Sequence, residues 1–148
     1  MEHVSTQQVS AGDVVGLRSR ILRAGLPRES AIFDGDELST TLHFGAHVDG
    51  EMVTCLTLLL GKYEAEPAWQ LRGMATDERW RNSGMGRALV EYAIALARVR
   101  RPDIRLFWCN ARITAAGFYE KVDWRVVSPP FEVPTVGHHV KMMFRAGA

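Results

Sequence analysis

The sequence predicts a mixed α/β fold, a sheet with helices on its faces. Three observations predict it. A hairpin signature, Asp49-Gly50, separates two β-rich runs. A long amphipathic helix begins at Met85, directly after a strand and a glycine-containing loop. The second half then alternates short apolar strands with helices.

Taken in order, Asp13 to Ala24 reads as a first helix. Asp13 is placed to cap it, Gly25 and Pro27 stop it, and Val14, Leu17, Ile21 and Leu22 form its apolar face. Residues 27–40 are polar and turn-rich and read as a loop with room to move. Leu42 to Val48 and Met52 to Leu60 read as the hairpin strands. Trp69 to Thr76 reads as a strand with Trp69, Leu71 and Ala75 on one face and Gln70, Arg72, Met74 and Thr76 on the other. Gly73 interrupts it, either as a bulge or as a packing glycine in a buried strand. In the helix of residues 85–97, Met85, Ala88, Leu89, Tyr92, Ala93 and Leu96 make a continuous apolar stripe. Arg98 to Arg101 form a solvated, dipole-favoured end and Pro102 closes it. Ile104 to Cys109 reads as a buried central strand, Ala111 to Val122 as another helix, and Trp124–Val127 with Val140–Phe144 as a closing strand pair.

The 148 residues match the size of one domain, and 47% hydrophobic content supports a core. The net charge is +1, from 18 basic and 17 acidic residues. That balance argues against nucleic-acid binding. The longest apolar run, Cys55 to Leu60, is too short to cross a bilayer, and the first residues do not read as a signal segment. Cys55 and Cys109 read as free thiols of a reducing cytoplasm, and no metal-ligand spacing occurs.

The chemistry-bearing segment is Arg81-Asn82-Ser83-Gly84-Met85-Gly86, followed by Arg87. A helix N-terminus presents unpaired N–H groups and partial positive charge, so it suits an anion. Gly84 and Gly86 let an oxyanion approach the backbone, and Arg81 and Arg87 add fixed charge. The alternative is an ordinary turn in which Asn82 or Ser83 caps the helix. Neither the P-loop nor the dinucleotide pattern is present.

This R-x-x-G-x-G segment resembles the acyl-CoA loop of the GNAT acetyltransferase superfamily, and Ala75-Thr76-Asp77-Glu78-Arg79-Trp80 matches its lead-in. About forty residues on, Ala115, Phe118-Tyr119-Glu120-Lys121 and Trp124 resemble the second signature, N-x-x-A-x-x-x-Y-x-x-x-G-[FW]. Arg112 stands where that signature has Asn, with Asn110 two residues earlier, and Asp123 replaces its Gly. Asp tolerates the left-handed cap conformation.

The resemblance implies a single domain over residues 1–148, with a mixed, mostly antiparallel sheet of about six to seven strands and about four helices. It implies acetyl-CoA as acyl donor, held by Met74, Ala75, Thr76, Arg81, Asn82, Ser83, Gly84, Met85, Gly86 and Arg87, with Asn110, Arg112 and Ala115. It further implies a strand backbone near Met74 and Thr76 that binds pantetheine and polarises the thioester. Tyr119 is the candidate general acid for the leaving thiolate. His139 is the candidate base, with His43, His138, Glu64, Glu66 and Glu132 as others. An acyl-Cys109 route is a further alternative. The expected function is direct acetyl transfer to a small-molecule or peptide amine. A non-catalytic acyl-CoA-binding protein is the rival, and analogy alone admits a homodimer.

Overall fold

The computed structural model describes residues 3–147. Among them it forms eight strands and three α-helices, with three short 3₁₀ turns. The strands are β1 (Val4–Val9), β2 (Leu42–Val48), β3 (Glu51–Tyr63), β4 (Glu66–Thr76), β5 (Leu106–Arg112), β6 (Arg125–Val126), β7 (Phe131–Val133) and β8 (Gly137–Arg145). The helices are α1 (Ala11–Leu22), α2 (Met85–Arg100) and α3 (Ala116–Lys121). The sheet order is β1-β2-β3-β4-β5-β8-β6, with β7 also on β8. The pairing of β4 with β5 is parallel, Ala68 opposite Leu106 and Gln70 opposite Trp108. The pairs β1–β2, β2–β3, β5–β8, β6–β8 and β7–β8 are antiparallel.

The chain divides into two compact units. One runs up to Leu59 and adds Leu71–Pro102; the other joins Leu60–Gln70 to the chain from Asp103 onward. In the first unit, Asp49 and Gly50 both take positive φ, 49° and 85°, as a two-residue hairpin turn requires. The same turn explains β1, an edge strand whose polar sequence Val-Ser-Thr-Gln-Gln-Val carries no periodic apolar signal. The Asp49 N–H donates to His3 O and Asp49 Oδ1 accepts from His3 N, both at 2.8 Å, which docks β1 onto β2.

Helix α1 begins earlier than expected. Ser10 is its N-cap, and Asp13 instead reaches back to accept from Ser10 N at 3.0 Å. Val14 and Leu17 pack with Cys55 and Ala75, flanked by Val9, Ile21, Leu22 and Met52. On α2 the buried row is Met85, Leu89, Ala93 and Ala97 with Val90, whereas Ala88 is exposed. The stripe is therefore rotated from the expected one towards the i, i+4 row.

In the second unit, Tyr119 of α3, Trp124, Phe144 of β8 and Phe107 of β5 pack in successive ring contacts. The expected 111–122 helix is shorter: β5 runs on to Arg112, a 3₁₀ turn follows, and α3 is confined to six residues. It ends as anticipated. Asp123 has φ 74°, its N–H donates to Glu120 O at 3.1 Å, and Trp124 N donates to Tyr119 O at 3.0 Å. This is the paired-bond cap that normally selects glycine. The expected link 128–139 contains β7 and the start of β8.

Candidate functional site

The loop before α2 is built in two stages. A buried aspartate, Asp77, stops β4. Its N–H donates to Val53 O at 2.8 Å, and its Oδ1 accepts from Arg79 N at 2.9 Å and from Arg79 Nε at 3.2 Å. Its Oδ2 accepts from Arg20 of α1 at 3.0 Å. The hydrogen bonds from Arg79 hold the Asp77 carboxyl down at about 2. Arg79 also reaches Glu51 at 3.0 Å, so the 3₁₀ turn Glu78–Trp80 is tied to both α1 and β3.

From that anchor the chain turns twice through left-handed conformations, Asn82 at φ 60° and Gly84 at φ 87°. Gly84 is the N-cap of α2, and no side chain caps the helix there. The Ser83 hydroxyl donates to Trp80 O and lies 3.4 Å from Met85 N, a long contact. Arg81, Asn82, Ser83, Gly84 and Arg87 are exposed, Gly86 is half-buried, and Met85 is buried as the first core residue. A Cβ at Gly84 would meet nothing within 4 Å. The ordinary-cap alternative loses its cap, since neither Asn82 nor Ser83 takes the N-cap position. An open, positively flanked helix terminus fits a diphosphate.

On β4, Trp69, Leu71 and Ala75 are buried while Gln70, Arg72, Met74 and Thr76 are half-buried, the alternation expected. Thr76 Oγ1 lies 3.4 Å from Thr54 Oγ1. Gly73 takes φ 64°.

In the second unit, Tyr119 is 6% exposed and packs against Phe118 and Trp124. Burial, reinforced by Cys109, pushes its hydroxyl well above the ordinary tyrosine value. It therefore stays protonated and able to donate. Burial also pushes the Cys109 thiol up to about 12, which argues against an acyl-cysteine route. His139 is buried. Its Nδ1 lies 2.9 Å from Gly137 O, a carbonyl that can only accept, so Nδ1 is the donor. It stacks on Phe131 at 5.9 Å. Asn110 is exposed and accepts from Lys141 Nζ at 2.9 Å. Arg112 and Ala115 are half-buried at the two ends of the 3₁₀ turn before α3.

The other histidine candidates divide. His138 is exposed opposite Glu132. His43 is 4% exposed with both nitrogens engaged, Nδ1 with Thr57 Oγ1 at 2.8 Å and Nε2 with Asp36 O at 3.0 Å. It serves a polar core rather than a substrate. At the centre of that core is Arg18, which no sequence argument singled out. It is fully buried, bridges Asp36 at 2.6 and 3.1 Å, and donates to Ala31 O and Thr57 Oγ1. Phe33 lies under its guanidinium at 4.1 Å. Through Asp36 this network pins the segment 27–40, which is not the loose loop expected. A signal existed: Arg18 sits four residues after Val14 and three before Ile21, inside the apolar stripe.

The chain belongs to the GNAT acetyltransferase family: residues 39–126 match its acetyltransferase (GNAT) domain. It is 28% identical over 145 residues to a Bacillus subtilis (strain 168) protein described as the uncharacterized N-acetyltransferase YitI, with 94% of each chain covered. Among solved structures it resembles Escherichia coli ElaA at a TM-score of 0.77, with 15% identity and 95% and 99% of the two chains covered. It also resembles an aminoglycoside 6'-N-acetyltransferase complexed with coenzyme A, at a TM-score of 0.75, with 13% identity and 95% and 96% coverage. The fold is thus that of acyl-CoA-dependent N-acyltransferases. No described helix is long and apolar enough to cross a membrane. No group of three or more His, Cys, Asp or Glu among the described residues gathers as a metal site.

Proposed function

We propose that this chain acts as a single domain that transfers an acetyl group from acetyl-CoA to a primary amine, by direct attack in a ternary complex. The observation that carries the reading is the start of α2: a left-handed Gly84 N-cap with no side-chain cap, between exposed Arg81 and Arg87. These residues, with Asn82, Ser83, Met85 and Gly86, would hold the diphosphate, and the backbone of Met74–Thr76 would receive the pantetheine arm. Asn110, Arg112 and Ala115 would complete the donor contacts.

In the transfer the amine nitrogen forms a bond to the acetyl carbon while the carbon–sulfur bond breaks and its electron pair goes to sulfur. Tyr119 would give its proton to, or hydrogen-bond, that sulfur. His139 Nε2 would accept the proton that the amine loses. The raised Cys109 thiol supports the direct route over a covalent enzyme intermediate.

The test joins binding to turnover. Titration calorimetry should detect CoA binding to the wild type and markedly weaker binding to Gly86→Trp, with melting temperature little changed; equal affinities would refute the loop assignment. Thiol release from acetyl-CoA with a panel of small amines and peptide N-termini should then show turnover. Tyr119→Phe should lower kcat by about a hundredfold while CoA affinity stays near wild type. CoA binding with no turnover on any amine would instead favour an acyl-CoA-binding protein.

A further inference from the structure

Gly73 and Arg18 occupy each other's space. Gly73 takes φ 64° within β4, and a Cβ there would lie 2.6 Å from Arg18 Nε and 3.1 Å from its Cζ and Nη2. No residue with a Cβ fits beneath that guanidinium as it stands. The guanidinium itself has no freedom to yield. Its two Nη atoms make four hydrogen bonds, to both Asp36 oxygens, Ala31 O and Thr57 Oγ1, and one face of its plane lies on the Phe33 ring. Its Nε, on the Gly73 side, is buried without a hydrogen-bond partner. A buried Arg–Asp pair gains little stability over apolar residues of the same volume, so stability alone does not account for this one.

We propose that Arg18 is a positioning residue for acyl transfer: clamped by Asp36 and Thr57, it seats on Gly73 and holds β4 in the turn that aims the Met74–Thr76 backbone. This rests on the proposed role of that backbone in receiving the acyl donor. The left-handed Gly73 is then a fitted pair with Arg18 on α1, and the pantetheine segment is set by a side chain that touches neither donor nor acceptor. Misplacing a thioester-polarising N–H by a fraction of an ångström weakens transition-state stabilisation more than binding. The diphosphate loop hangs from Asp77, not from Arg18, so donor affinity should be spared.

Two variants test this. Arg18→Lys keeps a cation for Asp36 but loses the planar fork. The pair Arg18→Met/Asp36→Asn removes both charges of the buried pair and leaves Arg72, 3.8 Å from Asp36 in the wild type, its hydrogen bond to Asp34 O. Amide resonances of Gly73–Thr76 in nitrogen-15 spectra should move in both, while those of residues 81–87 and the CoA dissociation constant hold. With an accepted amine, kcat should fall by about tenfold or more at unchanged donor KM. Unmoved Gly73–Thr76 amides in a folded variant, or wild-type kcat, would overturn the proposal. So would failure of both variants to fold, which would assign the pair to stability alone. A wild type that turns over no amine counts against the proposed reaction, whereas the amide shifts still judge Arg18.

Discussion

Two glycines in this chain share a backbone state and differ in surroundings. Gly73 and Gly84 have φ of 64° and 87°, so alanine at either carries the left-handed penalty, about 1–2 kcal/mol. At Gly84 the added methyl meets open space; at Gly73 it meets a clamped guanidinium. Denaturant unfolding should therefore show Gly84→Ala close to that penalty and Gly73→Ala clearly beyond it. Equal losses would mean that Arg18 can retreat. Cys109 offers a second single-residue test. With its thiol raised to about 12 by burial, it is not a nucleophile near neutrality. Cys109→Ala should keep its turnover, and mass spectrometry of the wild type with acetyl-CoA should find no acylated cysteine. Loss of activity at unchanged stability would reopen the covalent route.

Helix α2 joins the core to the loop of residues 81–84. Its i, i+4 row of Met85, Leu89, Ala93 and Ala97 faces inward, and its first turn is left open at Gly84. Leu89→Ala should cost about 2–5 kcal/mol, the range for a fully buried leucine. Ala88→Lys, one residue away but exposed, should stay within about 0.5 kcal/mol of wild type. Thermal or urea denaturation distinguishes them, and a large Ala88→Lys loss would restore the stripe read from the sequence. Within that stripe only Ala88 was misplaced and Ala97 was missed, because alanine carries little orientational information: Ala88, Ala93 and Ala97 read alike, and only packing tells which of them faces the core.

For the whole molecule, the depressed carboxyls Asp77 and Asp36 contribute to the acid response, beside Asp13 and Glu66. The Arg79 hydrogen bonds hold Asp77 at about 2. Burial pushes Asp36 up, but hydrogen bonds from Arg18 and the Phe33 N–H outweigh it and leave it below the ordinary carboxylate value. A carboxyl depressed in the folded state stabilises above its unfolded pKa and loses that contribution as pH falls through the folded value. For Asp77 the window lies between about pH 4 and pH 2. The difference in unfolding free energy between wild type and Asp77→Asn should be flat above about pH 5 and shrink through that window. A difference constant down to pH 2 would show that the carboxylate's charge is not what anchors the turn.

Much of the molecule was legible because its signals are local. The Asp49-Gly50 turn, the alternation along β4, the glycine-containing entry to α2 and the left-handed Asp123 each follow from a few neighbouring side chains and allowed backbone angles. The family, too, followed from two short signatures at a fixed separation. Strands β1 and β7 escaped because edge pairing is backbone hydrogen bonding to a partner, which neither the polar sequence of β1 nor the three residues of β7 advertise. The Arg18–Asp36–Gly73 arrangement escaped for a related reason: its members are far apart in the chain, and an arginine is buried only where three other segments supply its acceptors. By itself the sequence determined the family, the glycine-containing entry to α2 and the strand-and-helix order apart from β1 and β7. Which face of α2 packs, what pins residues 27–40 and why position 73 must be glycine were decided by tertiary structure, because each depends on atoms that only folding brings together.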